Sequence, residues 1–173
     1  MVFPEEIATT RLRIIPLALD HFALLLDEPA AMETALGLER SGTALRGHEL
    51  EAMSWLYDMA RTHPGQHLWF TNWQIVLVAA NMSIGSACFK GCPDEKGEVE
   101  IGYGINADHR KQGYMTEAAE ALCRWAMKQP GVRSVIAETD KDNPASQRVC
   151  LKSGMEKTGE TSSTLLWRFG REG

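Results

Sequence analysis

Polar and apolar residues alternate from Arg11 through Leu12, Arg13, Ile14 and Ile15 until Pro16 stops the run, the signature of an opening β-strand. Asp20 then reads as the N-cap of a short helix with Phe22, Leu25 and Leu26 on one face. Residues 30–46 show no clear period, because Gly37, Gly42 and Gly47 interrupt any long element. Leu50, Met53, Leu56, Tyr57 and Ala60 recur at helical spacing, and Pro64-Gly65 ends that helix.

The period then changes to two. Residues 67–72, 74–80, 83–90 and 98–105 read as four successive strands of an antiparallel meander. In the last of them Val99, Ile101, Tyr103 and Ile105 share one face, and Glu98, Glu100, Gly102 and Gly104 the other. A polar loop leads into a helix from about Gly113 to Lys128 whose buried stripe is Met115, Ala118, Ala119, Leu122 and Ala126. Residues 133–140 form a strand. Asn143-Pro144 supplies an N-cap followed by proline at the first helical position, and Gly154 closes that helix. A strand pair over 155–160 and 164–169 completes the chain. The order predicts a single α+β domain over residues 1–173, with a mixed, mostly antiparallel central sheet flanked by helices.

Composition narrows the function classes. The net charge of −5 leaves no broad basic face for nucleic acid, and the densest basic run is His109-Arg110-Lys111. No apolar stretch approaches the ~20 residues of a membrane span, and the opening Met1 to Thr10 carries acids instead of the basic flank of a secretory signal. A cytoplasmic protein without a membrane partner is expected, acting as a monomer or homodimer. Cys88, Cys92, Cys123 and Cys150 match no metal-ligand spacing and are expected as reduced thiols, so no metal is expected.

The most informative segment runs from Tyr103 to Met115. A strand ends at Tyr103-Gly104-Ile105, a short loop passes through Arg110, Lys111 and Gln112, and Gly113 opens a long helix at Tyr114 and Met115. The free N–H groups of a first helical turn, with the helix dipole behind them, form an anion site. Gly113 allows close approach to the main chain, and Arg110 and Lys111 add positive charge. By itself this also describes an ordinary strand-to-helix connection with a solvated basic turn.

Four motifs in order widen the pattern: Glu100-Ile101-Gly102-Tyr103, Arg110-x-x-Gly113-Tyr114-Met115-Thr116-Glu117-Ala118, Asn143-Pro144-Ala145-Ser146, and Ser153-Gly154-Met155. Together with Thr9 to Leu17 they resemble the GNAT superfamily of N-acetyltransferases, in the branch of ribosomal-protein alanine and serine acetyltransferases (RimJ/RimL-like). The resemblance implies acetyl-CoA as co-substrate and an amine acceptor, either a protein N-terminus or a small molecule. It implies two splayed strands that admit the pantetheine arm, with Tyr103 and Ile105 offering backbone hydrogen bonds; Gly102 and Gly104 fit that picture, since their lack of side chains clears one strand face. It implies that Arg110 to Met115 hold the pyrophosphate, and that Asn143 contacts the arm while capping its helix.

The chain departs from that pattern at Met115, where glycine or alanine is usual, at Ile15 in place of arginine, and at Cys150 in place of tyrosine. Met115 must therefore point away from the cofactor. Transfer requires a group to accept a proton from the amine and another to protonate the leaving thiolate. Glu100, with Glu98 as rival, is the expected base, and Ser146 the expected donor; a solvated strand carboxylate and a helix serine are the plain alternatives. Two rival readings are a catalytically idle acyl-CoA sensor and a nucleotide-binding Rossmann domain. The latter conflicts with the meander and with the lack of a strand followed by Gly-x-Gly-x-x-Gly.

Overall fold

The computed structural model describes residues 5–170. The first four residues of the segment read above as lacking a signal lie outside the described residues. β1 (Ile7–Ala8) pairs antiparallel with β2 (Leu12–Pro16), and α1 (Leu19–Asp27), α2 (Pro29–Ala35) and α3 (Gly47–Thr62) follow. β3 (Asn72–Leu77), β4 (Met82–Phe89) and β5 (Glu98–Ile105) form the meander. Then come α4 (Tyr114–Met127), β6 (Ser134–Asp140), α5 (Pro144–Lys152), β7 (Glu156–Glu160) and β8 (Thr164–Gly170).

The strands form one sheet in the order β1-β2-β3-β4-β5-β6-β8-β7, and only β5 and β6 run parallel. Strand alternation assigns its two faces. Leu12, Ile14, Trp73, Ile75, Phe89, Val99 and Ile101 meet the stripe of α4 and Cys150 of α5. Ile15, Leu17, Val76 and Cys88 meet α1–α3. Each large side chain removed from water contributes about 1.5–3 kcal/mol, so the alternating pattern holds both helical layers to one sheet. The three residues that depart from the family pattern are absorbed by this packing: Ile15 and Cys150 are fully buried and Met115 nearly so, its side chain turned into the core.

Several sequence expectations need correction. Residues 67–72 are not a strand: His67–Trp69 form a single 3-10 turn, so the meander has three strands and not four. The turn carries Trp69 to Phe89 and Trp125, at ring-centroid distances of 5.1 and 5.2 Å. That aromatic packing overrides the local alternation. The run expected over 74–80 leaves the sheet at Leu77 and turns through Val78–Ala80 to Asn81, whose φ is 47°. Asp20 is not the N-cap of α1; Ala18 is, and Asp20 lies in the first turn with Oδ1 accepting from the His21 amide. The segment without a period contains α2, which begins with Pro29 at its first turn.

Candidate active site

β5 gives the site its shape. Its register with β4 runs from Ile101 opposite Phe89 to Ile105 opposite Gly85, whereas its pairing with β6 covers only Glu98, Glu100 and the residue between them. β6 instead stays paired with β8 through Asp140. Past Glu100 and Ile136 the two parallel strands therefore part, each held by its other neighbour. The splay expected from the resemblance is present.

The hydrogen-bond phase shows what faces this gap. The Lys90 amide donates to the Glu100 carbonyl, and the Asn106 amide to the Ile84 carbonyl. Even-numbered residues of β5 thus turn their main-chain groups to β4, and the odd ones, Tyr103 and Ile105, turn theirs into the gap. A Cβ added at Gly104 would meet nothing within 4 Å, so that stretch of the strand is open on the α1–α3 face. At Gly85 an added Cβ would stand 2.4 Å from the Gly104 carbonyl oxygen; only glycine fits there. A bulge in β4, with Ile84 as the extra residue opposite the Ile75–Val76 step, adjoins this contact.

At the C-terminal ends of β5 and β6 stand the N-termini of α4 and α5. The loop before α4 turns through Lys111 at φ 61° and Gly113 at φ 81°, and the amides of residues 111 to 116 donate to nothing among the described residues. The loop is anchored from the far side of the sheet. Arg11 Nε donates to Glu117 Oε2 at 2.7 Å, its Nη1 donates to the Gln112 carbonyl at 2.9 Å, and its guanidinium lies 4.4 Å from the centre of the Tyr114 ring. Glu117 Oε1 also accepts from the Thr9 hydroxyl and the Arg11 amide. Sequence reading missed Arg11 and Glu117 as loop anchors, because their contact spans more than a hundred residues.

Burial pushes the Glu117 carboxyl up, but the bonds from Thr9 and Arg11 outweigh it and hold the group below its ordinary value. A lowered carboxyl stabilises the fold above its unfolded pKa, and that contribution is lost as pH falls through the folded value. Glu117→Gln places a donor against Arg11 Nε and is expected to cost about 1–3 kcal/mol at neutral pH. The deficit should narrow as pH falls below the ordinary glutamate range and close once the wild-type carboxyl, held lower than that range, is protonated too. Chemical denaturation of both proteins across pH checks this; an undiminished difference in acid would remove the charge from the explanation.

α5 begins as the sequence requires, with Asn143 Oδ1 accepting from the Ser146 amide at 3.1 Å. Ser146 Oγ lies 3.2 Å from the Tyr103 hydroxyl, which also stands 3.2 Å from Cys150 Sγ. Burial raises the Tyr103 hydroxyl above its ordinary value, and burial likewise raises the Cys150 thiol. Both therefore carry their protons at neutral pH. The Tyr103 hydroxyl was not anticipated from sequence, where only the backbone of that residue drew notice; its pairing with Ser146 depends on how α5 packs across β5.

Glu100 lies where β5 and β6 part, its carboxylate paired with the Lys90 ammonium of the neighbouring strand. Glu98, its rival, is tied to Arg168 of β8. A separate cavity of about 270 Å³ opens on the other side of β5, between Gly104, Ile105 and the helices α1 and α2. Neither glutamate of β5 lines it. The four cysteines are unpaired, and the described residues contain no cluster of three or more potential metal ligands. No described helix is long and apolar enough to cross a membrane.

Comparison with known proteins identifies the arrangement. The family described as acetyltransferase (GNAT) domain matches residues 11–156. The N-acetyltransferase YjdG of Bacillus subtilis is 33% identical over 159 residues, which cover 92% of this chain and 93% of that one. The ribosomal-protein-S5-alanine acetyltransferase of Vibrio fischeri superposes with a TM-score of 0.67 at 14% identity, over 95% of each chain. RimL, a ribosomal-protein alpha-N-acetyltransferase solved in complex with coenzyme A, superposes at 0.66 with 16% identity, over 95% of this chain and 97% of that one. At such identities the structural likeness speaks for the fold. Fold and sequence kinship together define an N-acetyltransferase. The chain belongs to the acetyltransferase (GNAT) domain family.

Proposed function

We propose that this enzyme transfers an acetyl group from acetyl-CoA to a primary amine, a protein N-terminus or a small molecule, by direct attack while both substrates are bound. The observation that carries this reading is the gap between β5 and β6, which exposes the main-chain groups of Tyr103 and Ile105 and ends at the amides of residues 111 to 116. An extended amide-bearing arm fits the first part, as an added strand would. A pyrophosphate fits the second, held by Gln112, Gly113, Tyr114 and Met115 amides with Arg110 and Lys111 supplying charge. Asn143 flanks the gap from α5. When bound, acetyl-CoA supplies the activated acyl carbon.

The remaining chemistry belongs to the chain. Running back along β5 from the loop, such an arm reaches the region where the strands meet, and Glu100 stands there to take the proton of the incoming amine, directly or through water. Ser146, bonded to the protonated Tyr103 hydroxyl, is placed to return a proton to the leaving thiolate. Holding the two substrates in line contributes the rest.

Acetyl-CoA at a hundredfold excess over its Kd is expected to add about 2.7 kcal/mol of stability, a Tm rise on the order of 5–10 °C. Thermal-shift measurement beside a free-thiol assay with an amine panel tests both halves. A shift without thiol release from any amine would favour the idle sensor; a shift with NAD and none with acetyl-CoA would overturn the assignment.

A further inference from the structure

The cavity beside Gly104 and Ile105 is lined by a carboxylate that no described residue neutralises. Glu33, in α2, is only 3% exposed. Its Oε1 accepts from the Ser41 amide at 3.1 Å and from the Ser41 hydroxyl, both neutral donors. Its Oε2 accepts nothing among the described residues. Among the described residues the enclosed side-chain atoms without a partner are His109 Nδ1 and Arg168 Nε, so Glu33 Oε2 is not sealed in protein, and Glu33 lines the cavity. Among the described residues no lysine, arginine or histidine lines that cavity, and its second ionisable residue is another acid, Glu49.

A carboxylate removed from water without a cation is costly, because two neutral hydrogen bonds replace only part of its hydration. Two further polar residues of the wall are already satisfied. Gln74 Nε2 donates to Asn72 Oδ1 at 2.7 Å, and the Ser83 hydroxyl donates to Gln74 Oε1 at 2.5 Å. These polar groups need nothing from a ligand, whereas Glu33 does.

We infer that the cavity takes a positively charged group of the acceptor, pairing it with Glu33, and that the preferred acceptors are amines carrying a second cationic group. This rests on the acetyltransferase reading, and it assigns to the acceptor what that reading leaves open. The amine to be acetylated lies toward the gap between β5 and β6, and the second ammonium sits against Glu33 with Glu49 at the rim.

The test compares linear diamines with amino-alcohols and monoamines of matched length. Wild-type enzyme should show a KM for the best diamine roughly 10- to 100-fold below that of its amino-alcohol, the size of one buried charge-assisted hydrogen bond. Glu33→Gln should erase that preference by raising the diamine KM while leaving kcat and the acetyl-CoA thermal shift unchanged, since its amide oxygen can still accept from Ser41. A fall in kcat for every amine would overturn the inference by making Glu33 part of the proton transfer. Equal KM values for diamine and amino-alcohol in the wild type would overturn it without any variant. Diamine binding by calorimetry, lost in Glu33→Gln but accompanied by no thiol release, would uphold the cation site and sink the acetyltransferase reading instead.

Discussion

Gly113→Asp should abolish the stabilisation by acetyl-CoA while the protein remains folded. Gly113 has φ 81°, a conformation that costs an ordinary side chain about 1–2 kcal/mol. An aspartate at a helix N-terminus recovers about 0.3–1 kcal/mol from the dipole. The new Cβ would stand 3.3 Å from Arg11 Nη2, the flexible end of a cationic side chain that can shift and pair with it. The net loss of fold stability is therefore near 1 kcal/mol, and the main effect falls on the ligand. A fixed carboxylate would stand beside the free amides of residues 111 to 116, where the proposed function seats the pyrophosphate, and like charges at contact distance repel strongly. Calorimetry should find acetyl-CoA affinity reduced by at least about a hundredfold, against an apo melting point only a few degrees lower. Normal acetyl-CoA binding by a folded variant would mean that the pyrophosphate lies elsewhere.

Glu100→Gln should leave acetyl-CoA binding intact and lower turnover by about 10²-fold, the usual effect of losing one acid–base group. The fold should tolerate it. The lost partner, Lys90, keeps about half its side chain in water, and an exposed pair of this kind contributes at most about 1 kcal/mol. The kinetic defect should shrink as pH rises toward the acceptor's own pKa, because a neutral amine no longer needs a base. Ser146→Ala should respond to a different variable. Its defect should ease with an acyl donor whose thiol leaves readily, and Tyr103→Phe should reproduce it if the two hydroxyls act as one relay. If all these variants show uniform losses across pH and donor, their side chains only shape the cleft and positioning carries the rate.

The legibility of the site followed the range of its contacts. The loop at Arg110 to Gly113, the N-cap at Asn143 and the closing glycine at Gly154 were readable because each is a local demand of the backbone. A left-handed residue, a side-chain acceptor for the first free amides and a proline-compatible start are written in adjacent positions. The stripe of α4 and the alternation of β5 were readable for the same reason, since periods of 3.6 and 2 need only a short window.

Contacts between distant segments were not readable. Whether residues 67–72 extend or turn was decided by where Trp69 could pack, not by their own alternation. The Arg11–Glu117 tie and the Tyr103–Ser146 bond join segments that only the sheet order brings together. Glu33 shows the difference most clearly. In the sequence it is one acid in a stretch without a period, and only the folding of α2 over the open face of β5 strips it of water and leaves it facing a cavity. The sequence by itself determined most of the elements, the left-handed turn into α4 and the family. The tertiary structure decided which charges are buried, which are paired and which meet only neutral donors, because desolvation and pairing depend on neighbours that are distant along the chain.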